Sequence, residues 1–133
     1  MNLLHALFDR VRPPRSLGEA GERAAARYLR QHGYRSLDRN LHAGKDEADL
    51  VAVAPDRETI VIVEVKTRRD DSVMPEEHVN HHKMRRLTRL AQRLKQQPAM
   101  EERPFRFDVI AVVWPERGEP TIRHHEAAFS AIE

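Results

Sequence analysis

The sequence has no cysteine, few aromatic residues (5 %), five glycines and no apolar run near the ~20 residues that span a membrane as a helix. Without cysteine there is neither a disulfide framework nor a thiolate zinc site, and a reducing compartment, the cytoplasm, is expected. The scarcity of aromatics argues against a stacking platform for single-stranded nucleic acid. No Walker-type phosphate loop and no Gly-x-Ser-x-Gly elbow is present. The N-terminal stretch MNLLHALFDRVRPPR is not expected to act as a signal peptide. It lacks a basic start, and Asp9 and Arg10 interrupt its apolar residues.

What is present fits one domain. A chain of 133 residues buries roughly two-thirds of its unfolded surface. Leu3, Leu4, Leu7, Phe8 and Val11 share a face if residues 2–11 are helical, and Pro13-Pro14 stops that segment. Residues 1–15 are expected to form an arm, and residues 16–133 the domain. Ser16-Leu17-Gly18-Glu19 is a capping box that opens a helix over about Leu17–Gln31, closed by Gly33. Leu17, Ala20, Ala24 and Tyr28 are its expected apolar stripe, with Glu22 at the stripe's edge.

Strands are expected over 34–39, Glu47–Ala54, Thr59–Thr67, Phe105–Trp114 and Thr121–His125, with Pro55-Asp56-Arg57-Glu58 as a turn. A second helix should begin near Pro75 and end before Pro98, and a short final helix is expected after the fifth strand. The third strand, this helix and the fourth strand form a βαβ unit, so those two strands run parallel. The first three strands form an antiparallel meander. The expected class is therefore α/β, a mixed sheet of about five strands flanked by helices.

A turn centred between Asp56 and Arg57 sets Asp49 opposite Glu64 and Glu47 opposite Lys66, with Cβ atoms about 4.5–5.5 Å apart. Strict alternation places all four side chains on one face. Two carboxylates opposed across a ladder repel, and they become sensible with a cation between them. Oxygen-only ligands suit Mg2+ or Mn2+. Lys66 would then orient water or offset charge on a phosphate, and the chemistry would be metal-assisted phosphodiester hydrolysis. The alternative is a solvated face with Glu47–Lys66 as an ordinary ion pair. Ile60 and Ile62 share the face with Glu64 and Lys66, and charges on a strand apolar on both faces favour the metal site.

DEADL at 46–50 followed by IVIVEVKTR at 60–68 resembles the D…ExK core of the PD-(D/E)xK nucleases. More closely, the chain is similar to the YraN-like bacterial proteins, predicted endonucleases distantly related to archaeal Holliday-junction resolvases. GEAGERAAARYLRQHGY at 18–34, Asn40, Lys83 and RFDVIAV at 106–112 match that family's pattern in order. The resemblance spans roughly residues 16–130 and implies a restriction-endonuclease-like fold. It carries Glu22, Asp49, Glu64 and Lys66 over as the catalytic centre. The metal set is Asp49 and Glu64, with Glu47 as the acid beside them. Where the family has glycine before that acid, this chain has Asp46.

From Lys83 to Lys95 there are six basic residues and no acid. Met84, Leu87, Leu90, Ala91 and Leu94 form the buried stripe, and Arg85, Arg86, Arg89 and Arg93 spread over the other side. Those arginines are either a solvated face or contacts to DNA phosphates. Lys83 is counted with these arginines as a nucleic-acid contact, yet its angle falls within the apolar stripe, so it either turns toward the site or snorkels. Asp108 is expected to support the sheet edge or the site. The histidines at 78, 81, 82, 124 and 125 lack a standard zinc spacing and are expected at the surface.

The leading function is thus a Mg2+- or Mn2+-dependent DNA endonuclease, acting on branched or flapped DNA if the resemblance extends to substrate. A homodimer is possible and no membrane partner is expected. The alternatives are a nucleic-acid-binding adaptor that keeps the fold without turnover, and an interaction module working through the arm.

Overall fold

The computed structural model describes residues 13–70, 72 and 80–132. The arm expected over residues 2–11 lies outside them. No helix among the described residues is long and apolar enough to cross a membrane.

Helix α1 runs Leu17–Gln31. Ser16 caps it by accepting the Glu19 amide at 3.1 Å, and Glu19 accepts the Arg15 amide in return at 3.1 Å. At the far end Gly33 adopts φ +87°, the Gly33 amide donates to the Arg30 carbonyl and the Tyr34 amide to Leu29. This 6→1 and 5→2 pairing is a Schellman stop, which needs the left-handed residue that glycine supplies. The chain then enters β1 (Arg35–Ala43), β2 (Asp46–Val53) and β3 (Ile60–Arg68). Helix α2 (His81–Lys95) leads to β4 (Phe105–Val113), and β5 (Thr121–Phe129) closes the sheet.

The sheet order is β1-β2-β3-β4-β5, antiparallel except for the parallel β3–β4 pair. The architecture is α/β, and among the described residues one helix lies on each face of the sheet. β3 is buried on both faces and so reads as a continuous apolar run. Val61, Val63 and Val65 pack toward Ala25, Ala26 and Leu29 of α1. Ile60 and Ile62 pack toward Leu87, Leu90 and Ala91 of α2. Each such side chain contributes about 1.5–3 kcal/mol when fully buried.

Several boundaries differ from expectation. β1 extends to Ala43, where the Gly44-Lys45 turn joins it to β2. α2 as described runs from His81, where Asn80 is extended and its side chain caps the Lys83 amide at 3.0 Å; the start expected near Pro75 falls outside the described residues. Residues 73–79 lie outside the described set. Among the described residues the expected C-terminal helix does not form, since β5 continues to Phe129. Asp108 explains this extension. Its Oδ1 accepts the Ala127 amide at 3.0 Å beside the irregularity in the β4–β5 register, and Phe129 stacks on Phe107 with ring centroids 4.8 Å apart.

Asp108 is thus a structural residue. Arg106 grips it with two hydrogen bonds of 2.8 and 2.7 Å, and His124 Nε2 lies 2.7 Å from its Oδ2. His124, expected at the surface, has a side chain only 6 % exposed, enclosed by this contact and by the Tyr28 and Tyr34 rings. Arg106 also donates to the Tyr34 hydroxyl, which donates to Glu126. Burial pushes the Asp108 carboxyl up, but His124, Arg106 and the Ala127 amide together hold it below its ordinary 3.8.

The α1 stripe is centred one row away from the expected one. Gly21, Ala24, Ala25, Ala26 and Leu29 are buried, whereas Leu17, Ala20 and Tyr28 are half-buried. The small residues let α1 lie close on β3. A Cβ added to Gly21 would land on the Thr67 hydroxyl and come within 2.8 Å of Thr67 Cβ. This close approach carries the adjacent Glu22 to the sheet.

Two outcomes follow. Gly21→Ala should destabilise the protein by about 1–3 kcal/mol, because backbone or Thr67 must move; an unchanged denaturation midpoint would contradict this packing. Asp108→Asn should cost about 2–4 kcal/mol by leaving Arg106 without its counter-charge. A carboxyl whose folded pKa is lowered contributes fully above its unfolded value of 3.8 and loses that contribution as pH falls below it. Acid titration of both proteins checks the sign, since the gap between their stabilities should narrow below about pH 4.

Candidate active site

β2 does not alternate strictly. Leu50 and Ala52 pack in the α1-side cluster, while Ala48 joins Val51 in the α2-side cluster. Ala48 and Leu50 would share a face in a regular strand, so the alternation slips between them, at Asp49. The cause is visible in β1. Asn40 has φ +53° and lies between Arg39, which pairs with Leu50, and Leu41, which pairs with Ala48. Asparagine is among the few residues that adopt this conformation readily.

The β2–β3 pairing runs from Val53↔Ile60 to Leu50↔Val63 and ends there, in the expected register. β3 continues beside β4, with Glu64 level with Val109 and Lys66 with Ala111. At the parting of β2 and β3 the Val65 amide donates to Asp49 Oδ2 at 2.8 Å. Asp49 and Glu64 are therefore brought together as expected, by a side-chain-to-backbone bond and not by an extended ladder.

Glu64 has a side chain 4 % exposed between two lysines. Lys66 Nζ lies 3.4 Å from its Oε1 and Lys83 Nζ 3.5 Å from its Oε2. Oε2 accepts no hydrogen bond among the described residues. Burial, with Asp49 next to it, pushes the Glu64 carboxyl up to about 7 against the pull of Lys83 and Lys66. Asp49 is likewise raised by burial, opposed by the Val65 amide, Lys83 and a hydrogen bond with Glu64. Glu22 is half-buried and raised to about 7, by burial first and then by Asp49. Glu22, Asp49, Glu64 and Lys66 thus converge, and Lys83 joins them from α2.

Glu47 does not sit opposite Lys66. Its pairing partner in β1 is His42, whose Nδ1 is 3.5 Å from its Oε2, and half of its side chain is exposed. The slip at Asp49 breaks the shared face on which the Glu47–Lys66 pair depended. Glu47 remains at the rim, close enough to raise both Glu22 and Asp49. Asp46 does not add to the acidic centre. It is 1 % exposed and accepts two hydrogen bonds from Arg89, at 3.2 and 2.9 Å, which hold its carboxyl below the usual range. The Arg93 guanidinium closes on the same turn, 3.0 Å from where a Gly44 Cβ would be. Arg85 is exposed and Arg86 half-buried.

The Asp46–Arg89 pair was not foreseen, because nothing in the spacing links a turn residue to a helix far along the chain. Arg106-x-Asp108 was a usable signal. Two opposite charges two residues apart share one face of a strand.

The centre carries three carboxyls held unusually basic and two ammonium groups. Among the described residues no three acidic, histidine or cysteine side chains form a ready-made metal cage. Asp49 and Glu64 fit an ion of the magnesium type, which takes one or two carboxylates and leaves its other positions to water and substrate.

The sequence pattern of the uncharacterised protein family UPF0102 matches residues 21–112. A UPF0102 protein of Symbiobacterium thermophilum is 42 % identical over 118 residues, covering 88 % of this chain and 98 % of its own. One of Pelobacter propionicus is 39 % identical over 116 residues, covering 86 % and 83 %. One of Bacteroides thetaiotaomicron is 43 % identical over 114 residues, covering 85 % and 91 %. A solved structure of Pyrococcus furiosus SfsA in complex with Ca2+ aligns over 82 % of this chain and 60 % of its own, at 13 % identity and a TM-score of 0.34. That likeness is too slight to carry an argument.

The acidic cluster costs stability whenever it is fully ionised. A carboxyl raised to about 7 penalises the folded state above that pH and not below its ordinary 4.5. With chelator present, Glu64→Gln should raise stability at pH 8 by about 1–3 kcal/mol and change it little at pH 5. A Gln variant less stable at pH 8 would show that the two lysines already satisfy Glu64.

Proposed function

The chain belongs to the UPF0102 family, and from the acidic centre at the parting of β2 and β3 we propose that it is a metal-dependent endonuclease hydrolysing phosphodiester bonds in DNA. The observation that carries this reading is the pairing of half-buried Asp49 with buried Glu64, with Lys66 on Oε1 of Glu64. Carboxylates are not forced together in a low-dielectric pocket without compensation.

Asp49 and Glu64 would hold Mg2+ or Mn2+. When bound, such an ion stabilises charge on a phosphoryl oxygen and makes water a better nucleophile. Glu22 closes the α1 side of the pocket, and Glu47 adds negative charge at its rim. The Lys66 ammonium, anchored on Glu64, offsets the charge that develops on the phosphate as the water attacks. The basic residues of α2 supply attraction for a phosphate backbone, with Arg85 and Arg93 exposed and Arg86 half-buried. Arg89 contributes less, because Asp46 neutralises it. Branched or flapped DNA is the substrate suggested by the likeness to resolvases.

One observation favours a second reading, a non-catalytic nucleic-acid-binding adaptor. Two lysines already attend Glu64, so the centre is partly neutralised by the protein itself.

The test is cleavage of linear, flapped and four-way DNA with Mg2+ or Mn2+, beside calorimetric Mn2+ titration. Asp49→Ala should abolish Mn2+ binding. Lys66→Met should fold and bind Mn2+ and DNA, yet cleave roughly a hundredfold more slowly or worse. Equal cleavage by Lys66→Met would reject its catalytic role. A parent that binds DNA but cuts no substrate with either ion would establish the adaptor.

A further inference from the structure

Lys83 and Lys66 attend the same carboxylate from different elements, and they are not equivalent. Lys66 belongs to β3 and stands at Oε1 of Glu64. Lys83 comes from the first turn of α2, across the pocket, and stands at Oε2, the oxygen that accepts no hydrogen bond among the described residues. The charge of Lys83 favours the ionised form of both Asp49 and Glu64, whereas Lys66 acts on Glu64. Lys83 therefore serves the space shared by the two acids, which is where an ion held by both would sit.

The contact is loose. At 3.5 Å it is longer than the 2.7–3.2 Å range typical of an N–H···O hydrogen bond, so charge more than geometry holds the ammonium there. Its side chain is 20 % exposed, which gives a four-carbon stem a way out to solvent. One turn along α2 stands Arg86, whose Nε is buried and donates to no group among the described residues. Residues three apart on a helix are neighbours, so Lys83 swung outward comes beside the Arg86 guanidinium. Two adjacent cations suit a phosphate.

We propose that Lys83 is a placeholder cation at Glu64, displaced by a divalent ion and transferred to a DNA phosphate beside Arg86, so that metal loading switches on the grip on DNA. The inference rests on the metal-dependent reading above. It adds a consequence that reading does not require. Lys83 helps to bind DNA when the ion is present and not when it is absent, because without the ion Glu64 holds it. Reciprocity follows, and DNA should tighten ion binding by the same factor.

The test measures binding, not cleavage. Anisotropy of labelled duplex and four-way DNA is recorded in Ca2+ and in EDTA for the parent, Lys83→Met and Lys83→Arg, with calorimetric Ca2+ and Mn2+ titrations and thermal melts. The parent should bind DNA about tenfold tighter in Ca2+ than in EDTA. Lys83→Met should match the parent within about twofold in EDTA, still bind both ions, and lose most of the gain in Ca2+. Lys83→Arg should recover it. If Lys83→Met does not fold, Lys83→Gln takes its place in every arm.

A variant that keeps the full gain overturns the proposal. So does one that loses equal affinity with and without the ion, since that is an ordinary phosphate contact. A parent that binds Mn2+ and cleaves DNA but shows no gain in Ca2+ overturns this inference alone. A parent that binds neither ion overturns it together with the nuclease reading.

Discussion

The bond from the Val65 amide to Asp49 Oδ2 stands at a point where two strands stop pairing with each other. A backbone donor left without its ladder partner must find another acceptor, and a carboxylate is the strongest one available. That substitution fixes Asp49 at the parting of β2 and β3. It also orders what surrounds it. Glu64, one residue before Val65, is held beside the same carboxylate. Lys66, one residue after it, shares a strand face with Glu64. Asn40 adopts a left-handed conformation next to Asp49 in β1, which lets β2 change faces there. The acidic centre is therefore built from a defect in a sheet, and the defect is stabilised by one charge-assisted hydrogen bond.

Such a defect needs a rigid frame. β3 supplies it, with Ile60, Val61, Ile62 and Val63 all fully buried just before the acids begin. The change along β3 is abrupt. Four apolar residues, packed by α1 on one face and α2 on the other, lead directly into a carboxylate that is almost as buried. Gly21 and the alanines of α1 allow close approach on one side, and so bring Glu22 inward. On the other side Asn80 starts α2 so that Lys83 reaches Glu64. The same core that stabilises the fold determines which charges meet.

This division explains what could be read from the sequence. The apolar run 60–63, the Pro55–Glu58 turn and the capping box are local features, and each led to the right element. The register followed from the turn, and with it the meeting of Asp49 and Glu64. The Glu47–Lys66 pair did not follow, because it assumed regular alternation through Asp49. The positive φ of Asn40 is a backbone property that residue type only hints at. Distant pairings stayed hidden for a different reason. Asp46 with Arg89, and Asp108 with His124, depend on how helix and strands pack, and no spacing rule encodes that.

The ion pairs in this protein fall into two kinds, and the difference separates scaffold from site. Asp46 and Asp108 are each gripped by an arginine through two hydrogen bonds, and both carboxyls are held below their ordinary range. Arginine suits this role because its planar fork matches a carboxylate and stays charged. Asp49 and Glu64 are attended by lysines at longer range, and both are held above their ordinary range. A bidentate arginine would have satisfied Glu64 and closed the pocket. A lysine is a point charge on a flexible stem, able to neutralise the acid and then leave it. The placement of arginines at the turn and the sheet edge, and of lysines at the acidic centre, is what a structure needs if its scaffold must stay fixed while its site exchanges one cation for another.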